Sequence, residues 1–234
     1  MHPDTRVSSP WRPRAIGVGV LLCVLGPPGH SADAAKLEAV AATRAAWSFH
    51  AGGSASFQAF WRSAGGSWSL APEPEHPANR VLKQGNPSGR TLLVSRRPVV
   101  NGVLSARMRT DSFVSRSMNW QMGFLFRRLD ARHYYKARLT AANVALIRVT
   151  PEPPGNTPGP RGGRLREELL VFLPLGVKRN TWHTLTTEFR GERIELGLDG
   201  KVLHRVLDPG VGSGELGLFT FNTPGFFDDV EVAI

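Results

Sequence analysis

The chain has 234 residues, 29 Lys+Arg against 19 Asp+Glu for a formal net charge of +10, 41% hydrophobic residues and a single Cys. Apolar content this close to average, with 12 Phe and 6 Trp, is enough to build a core and excludes a disordered or collagen-like chain. The length suits one domain with a short appendage.

Arg6, Arg12 and Arg14 precede an apolar run over 15–25, which is followed by Pro27, Pro28, Gly29 and the small-residue site Ala32-Asp33-Ala34. That order is the layout of a secretory signal peptide over 1–34. The run has 11 residues, whereas a helix needs roughly 20 to cross the hydrocarbon core, so a permanent transmembrane anchor is not expected. Cys23 would suit a lipid anchor only with a small residue before it, and Leu22 is bulky. Cleavage after Ala34 removes three Arg and two Asp, leaving 26 basic and 17 acidic residues and no Cys. The expectation is a secreted or periplasmic protein without disulfides, in which a Cys nucleophile and a Cys-ligated zinc are excluded.

Leu37, Val40, Ala41 and Arg44 have helical spacing, so a short helix or ordered lead-in is expected over 35–46. From residue 47 onward the chain reads as short β-branched and aromatic runs separated by Gly, Pro and Asn, the signature of an antiparallel sandwich. Leu104, Ala106 and Met108 share one face of a strand, with Ser105, Arg107 and Arg109 on the other. Tyr135, Ala137 and Leu139 likewise oppose Tyr134, Lys136, Arg138 and Thr140. The runs 122–126 and 169–173 are apolar on both faces and predict strands in the middle of the sandwich. Five Pro and four Gly over 150–166 predict a surface loop beside a binding face. Ile194, Leu196 and Leu198 lead into Asp199-Gly200, whose turn chemistry predicts a hairpin onto 202–206.

The runs Phe57-Gln58-Ala59-Phe60-Trp61, Gly66-Ser67-Trp68-Ser69-Leu70 and Gly123-Phe124-Leu125-Phe126-Arg127, with Asp130 and Tyr134-Tyr135, resemble the concanavalin A-like lectin/glucanase superfamily. Asn180-Thr181-Trp182-His183-Thr184-Leu185, Leu198-Asp199-Gly200, Gly214-Glu215-Leu216-Gly217-Leu218 and Phe227-Asp228-Asp229-Val230 are similar to its laminin-G-like and 3-keto-disaccharide-hydrolase-like branch. The resemblance covers 47–234. It implies an all-β jelly-roll sandwich of two antiparallel sheets, glycans as ligands, and hydrolysis in some members.

A retaining glycosidase needs two carboxylates about 5–5.5 Å apart. The family 16 glycoside hydrolases that share the fold carry them as Glu-x-Asp-x-Glu on one strand, and that pattern is absent here. The nearest same-face pairs are Glu73-x-Glu75 in a Pro-rich loop and Asp229-x-Glu231 near the chain end. Trp182-His183 reads either as core packing or, through His183, as a general acid or base. Asp228-Asp229 could hold a structural Ca²⁺ only with help from backbone oxygens, because neighbouring strand residues face opposite ways. No other cofactor is implied.

Charge is the feature that the family does not explain. Of the 29 basic residues 24 are Arg, whose planar fork matches carboxylate and sulfate geometry. Arg107, Arg109, Arg127, Lys136, Arg138 and Arg148 lie on polar sides of successive strands. If those strands pair in sequence order, they form a cationic strip with Trp120 and Tyr134 available for stacking. The expected function is glycan binding on the concave sheet through Arg107, Arg127, Tyr135 and Arg138, and the cationic strip would suit an acidic polysaccharide. Export argues against a nucleic-acid partner. A glycoside hydrolase acting on 3-keto or related disaccharides and a non-catalytic envelope module are the alternatives, and a solvated basic face is the bland reading of the same charges.

Overall fold

The computed structural model describes residues 44–49, 54–111, 119–153 and 164–234. In chain order the elements are β1 (Arg44–Trp47), α1 (Ser54–Phe60), β2 (Trp61–Gly65), β3 (Trp68–Pro72), β4 (Arg80–Gln84), β5 (Arg90–Ser95), β6 (Gly102–Thr110) and β7 (Gln121–Arg128). They continue with β8 (Tyr134–Leu139), β9 (Val144–Pro151), β10 (Leu165–Leu173), β11 (His183–Arg190), β12 (Arg193–Leu198), β13 (Lys201–Leu207), β14 (Glu215–Phe221) and β15 (Gly225–Ala233). The fold is a concanavalin A-like jelly roll of two antiparallel sheets. One sheet runs β13-β12-β11-β6-β15-β4-β3, with β1 added beside β15, and the other runs β10-β9-β8-β7-β14-β5-β2.

Period-two patterning decides which side chains meet between the sheets. Leu104, Ala106 and Met108 on β6, Leu185 and Phe189 on β11, and Phe124, Phe126, Tyr135, Ala137 and Leu139 on β7 and β8 join one core cluster. Phe126 lies between the sheets' aromatic rings, stacked on Tyr135 at 5.2 Å and on Phe189 at 5.1 Å. Each large apolar side chain taken fully from water contributes about 1.5–3 kcal/mol, so this layer dominates the stability. The β12–β13 hairpin turns at Asp199 (φ 50°) and Gly200 (φ 77°), the left-handed pair that a tight hairpin requires.

Three local expectations change. Arg44–Trp47, at the end of the expected helical lead-in, is a strand paired with Val230–Ala233. Bonding to β15 and burial of Trp47 among Phe57, Phe60 and Trp61 override a weak helical preference. The rest of the lead-in and the signal segment lie outside the described residues. The run over 169–173 is not central: β10 is an edge strand, with Leu169 and Phe172 53% and 51% exposed. At the expected loop, β9 runs to Pro151 and β10 starts at Leu165, while 154–163 lies outside the described residues.

The strands carrying the arginines do not all pair in sequence order. β7, β8 and β9 are neighbours, but β6 belongs to the other sheet, so Arg107 and Arg109 are separated from the rest of the expected strip.

Candidate functional site

The outer face of the seven-stranded sheet carries a second apolar cluster: Leu92, Val94, Leu125, Tyr134, Ala145, Ile147, Val149 and Phe219. Register places these side chains in rows. Lys136 sits between Leu125 and Ile147, and Arg138 between Gly123 and Ala145. The cations therefore stand over an apolar floor. Arg90 Nη1 donates to the Tyr134 hydroxyl at 2.9 Å, with its guanidinium 5.9 Å from the ring centre. Lys136 Nζ donates to Glu167 Oε1 at 2.8 Å. Glu167 is the acidic partner of this group; Arg90 and Arg138 have none among the described residues.

Burial holds the Lys136 ammonium below its ordinary range against the opposing pull of Glu167, and the charges of Arg138 and Arg90 push in the same direction as burial. Burial also raises the Tyr134 phenol. Three cations facing one carboxylate can receive an anionic group; the apolar layer beneath them is buried and serves as their packing.

The four residues selected from the sequence do not share one surface. Arg138 lies on this face. Arg107 stands on the outer face of the other sheet, its guanidinium 4.6 Å from the Trp182 ring centre and within 3.5 Å of both Glu73 and Asp229. Trp182 consequently packs outside the sandwich, against the core expectation.

Arg127 and Tyr135 are 1% and 0% exposed and cannot touch a glycan. Alternation would put Arg127 beside Leu125 on the outer face, but its φ of 49° and a register shift opposite Glu215–Gly217 turn it inward. There Nη2 donates to Gly191 O at 2.5 Å, and the guanidinium lies 5.4 Å from the Phe189 ring centre. Gly214 makes the bulge possible, since a Cβ there would lie 2.4 Å from the Arg127 carbonyl carbon. Trp120, expected as a stacking platform, is 1% exposed beneath Arg179.

Tyr135 belongs to an interior row. It pairs in register with Arg148, and Arg148 with Glu168. Asp208, just beyond β13, closes the row: its Oδ1 accepts from Tyr135 at 2.8 Å, Arg148 at 2.7 Å and the Gly210 amide at 2.7 Å. Arg148 Nη2 donates to Glu168 at 2.8 Å. Arg148 is thus on the core-facing side of β9, not on the expected strip.

The acidic pairs are occupied elsewhere. Glu75 meets Arg109 at 3.0 Å and Glu231 meets Arg44 at 2.6 Å, while Glu73 and Asp229 flank Arg107. His183 Nδ1 lies 2.9 Å from Asp199 Oδ2, and the same carboxylate accepts the Thr184 amide, tying strand β11 to the hairpin turn. At Asp228-Asp229 a bulge breaks the alternation, with Asp229 at φ 46°. Among the described residues no group of three His, Cys, Asp or Glu side chains is arranged to hold a metal.

Sequence reasoning missed Arg90, Glu167 and Asp208. Arg90 carried a signal, a cation at the first position of the apolar strand Arg90–Ser95. Glu167 and Asp208 carried none, because their partners lie on strands distant in sequence.

No protein-family model matches the chain, and no curated protein does either. Solved structures do match. The carbohydrate binding module CBM66 from Bacillus subtilis is 16% identical, with 73% of this chain and 94% of that chain covered at a TM-score of 0.55. The carbohydrate esterase vb_24B_21 from Shiga toxin-encoding bacteriophage phi24B is 13% identical, with 82% and 99% covered at 0.52. The apo Crh5 transglycosylase is 10% identical, with 81% and 83% covered at 0.56. At these identities the likeness establishes the fold.

Proposed function

We propose that this chain is an exported glycan-binding jelly-roll domain, secreted or periplasmic, that takes an acidic polysaccharide on the outer face of its seven-stranded sheet. The observation that carries the reading is the gathering of Arg90, Lys136 and Arg138 over a buried apolar layer, with Glu167 paired to Lys136. An anionic sugar residue supplies the missing negative charge. The carbohydrate-binding module among the structural neighbours supports the same reading by analogy. The closing motifs support placement in the laminin-G-like and 3-keto-disaccharide-hydrolase-like branch. Binding is favoured over hydrolysis because the same-face carboxylate candidates are engaged with Arg44, Arg107 and Arg109.

The test is binding of the purified chain to a panel of uronate, sulfated and neutral polysaccharides at low and moderate salt. Affinity for the acidic members should fall as salt rises, since exposed charge pairs are screened. Arg138→Ala should weaken them roughly 10- to 100-fold, in line with a charge-assisted hydrogen bond of roughly 1.5–3 kcal/mol. Equal affinity of Arg138→Ala and the unaltered chain would remove this face from the reading.

A further inference from the structure

Where the interior row reaches the end of the sandwich, it opens into a cleft of about 500 Å³ whose lining includes Leu129, Arg148, Thr150, Arg166, Glu168 and Gly212. That volume is in the range of sites for small organic ligands, about 300–1,000 Å³. It is a different place from the basic outer face: Arg148 and Glu168 hold core-facing positions, whereas Lys136, Arg138 and Glu167 face outward.

The cleft's charge is balanced. Arg148 and Arg166 face Glu168 at 2.8 and 4.0 Å, and Arg148 also meets Asp208 at 2.7 Å. Asp208 is 4% exposed and held by three donors, so its position is fixed by the fold. A carboxylate or sulfate entering beside Arg148 would meet the Glu168 carboxylate at its edge, and like charges at that range repel. A hydroxyl both donates and accepts. Two adjacent hydroxyls can accept from Arg166 or Arg148 and donate to Glu168, while Thr150 offers a further hydroxyl. Leu129 is 58% exposed and supplies apolar surface for the C–H face of a ring.

We propose that this cleft is a second sugar site, selective for a neutral saccharide unit with adjacent hydroxyls, independent of the acidic-polysaccharide face. Glu168 sets the selectivity by accepting from hydroxyls and repelling anions. Asp208 and Tyr135 act behind it by fixing Arg148.

The experiment is a titration of the isotope-labelled full chain with sucrose, methyl β-cellobioside and glucuronate, following the amide shifts of Leu129, Gly210 and Gly212. The neutral disaccharides should give saturable shifts there at millimolar concentrations and glucuronate should give none. Gly212→Phe puts a bulky ring on a residue that lines the cleft, and no atom lies within 4 Å of the Cβ it adds, so the fold should be kept while neutral-sugar shifts disappear. Glu168→Gln should weaken the neutral sugars about tenfold and admit glucuronate, a gain that a merely structural Glu168 would not produce. Preference of the unaltered cleft for glucuronate, absence of saturable shifts with both neutral probes, or shifts that survive Gly212→Phe would each overturn the proposal. Glucuronate shifts at Lys136 and Arg138 report on the outer face alone, so the two sites fail separately.

Discussion

Tyr135 and Arg148 converge on one carboxylate oxygen: the phenol and the guanidinium Nη1 donate to Asp208 Oδ1 at 2.8 and 2.7 Å. The two donors come from adjacent strands of one sheet, and the acceptor follows the last strand of the β12–β13 hairpin in the other. Buried polar groups of this kind are costly unless paired, and here each has its partner. The contact joins the two sheets at the cleft end of the sandwich.

The phenols give a direct readout. Burial first, and then the hydrogen bond to Asp208, push the Tyr135 phenol up to about 12, and burial raises Tyr134 as well. The chain has 2 Tyr, so absorbance of tyrosinate should stay low through pH 10, the ordinary range, and rise above it. Because the folded pKa of Tyr135 exceeds the unfolded one, its contribution to stability is fully present below about pH 10 and is lost as pH climbs toward 12. Tyr135→Phe should flatten the fall of urea midpoint across that window. A tyrosinate signal completed near pH 10 in the native chain would contradict the buried hydrogen bond.

Gly210 is required by close approach. A Cβ at this position would lie 2.1 Å from the Tyr135 hydroxyl oxygen and 2.7 Å from Asp208 Oδ1. Gly210→Ala should therefore break the phenol–carboxylate contact and lower stability by about 1–3 kcal/mol, the cost of an unsatisfied buried polar group. The check is a fall in thermal midpoint together with a Tyr135 titration moved back toward 10.

Arg127 has a structural role, and its substitution should separate stability from binding. Arg127→Ala removes a buried side chain packed on Phe189 and leaves the Gly191 carbonyl without its donor. A loss of about 3 kcal/mol in urea unfolding is expected from cavity and hydrogen-bond terms together. Glycan affinity of the folded fraction should be unchanged, in contrast to Arg138→Ala.

The β10 edge predicts association behaviour. Leu169 and Phe172 stand half exposed on a strand whose outer edge pairs with no other strand among the described residues, an arrangement that favours edge-to-edge contact between chains. Leu169→Lys should reduce self-association in sedimentation at high concentration while changing folding stability by no more than about 0.5 kcal/mol.

The alternation of single strands was legible in the sequence because a strand's two faces are set by its own residues. Leu104, Ala106 and Met108 pack inward as their spacing requires, and Asp199-Gly200 makes its hairpin from local turn chemistry. The motifs over 57–70 and 180–230 pointed to the right fold class for a related reason: they are the turn glycines and core aromatics that a two-sheet sandwich needs.

What the sequence could not decide is which strands become neighbours. Adjacency depends on long-range hydrogen bonding, so β6 and β7, consecutive in the chain, lie in different sheets, and the expected strip divides between them. A bulge reversed Arg127, and edge placement exposed Leu169, although both read correctly as strand residues. The composition and local periodicity determined an all-β sandwich rich in Arg. Only the tertiary structure decided that Arg138 joins Arg90 and Lys136 on one face while Arg148 joins Tyr135 and Asp208 within, because those meetings are made by pairings between residues far apart in the chain.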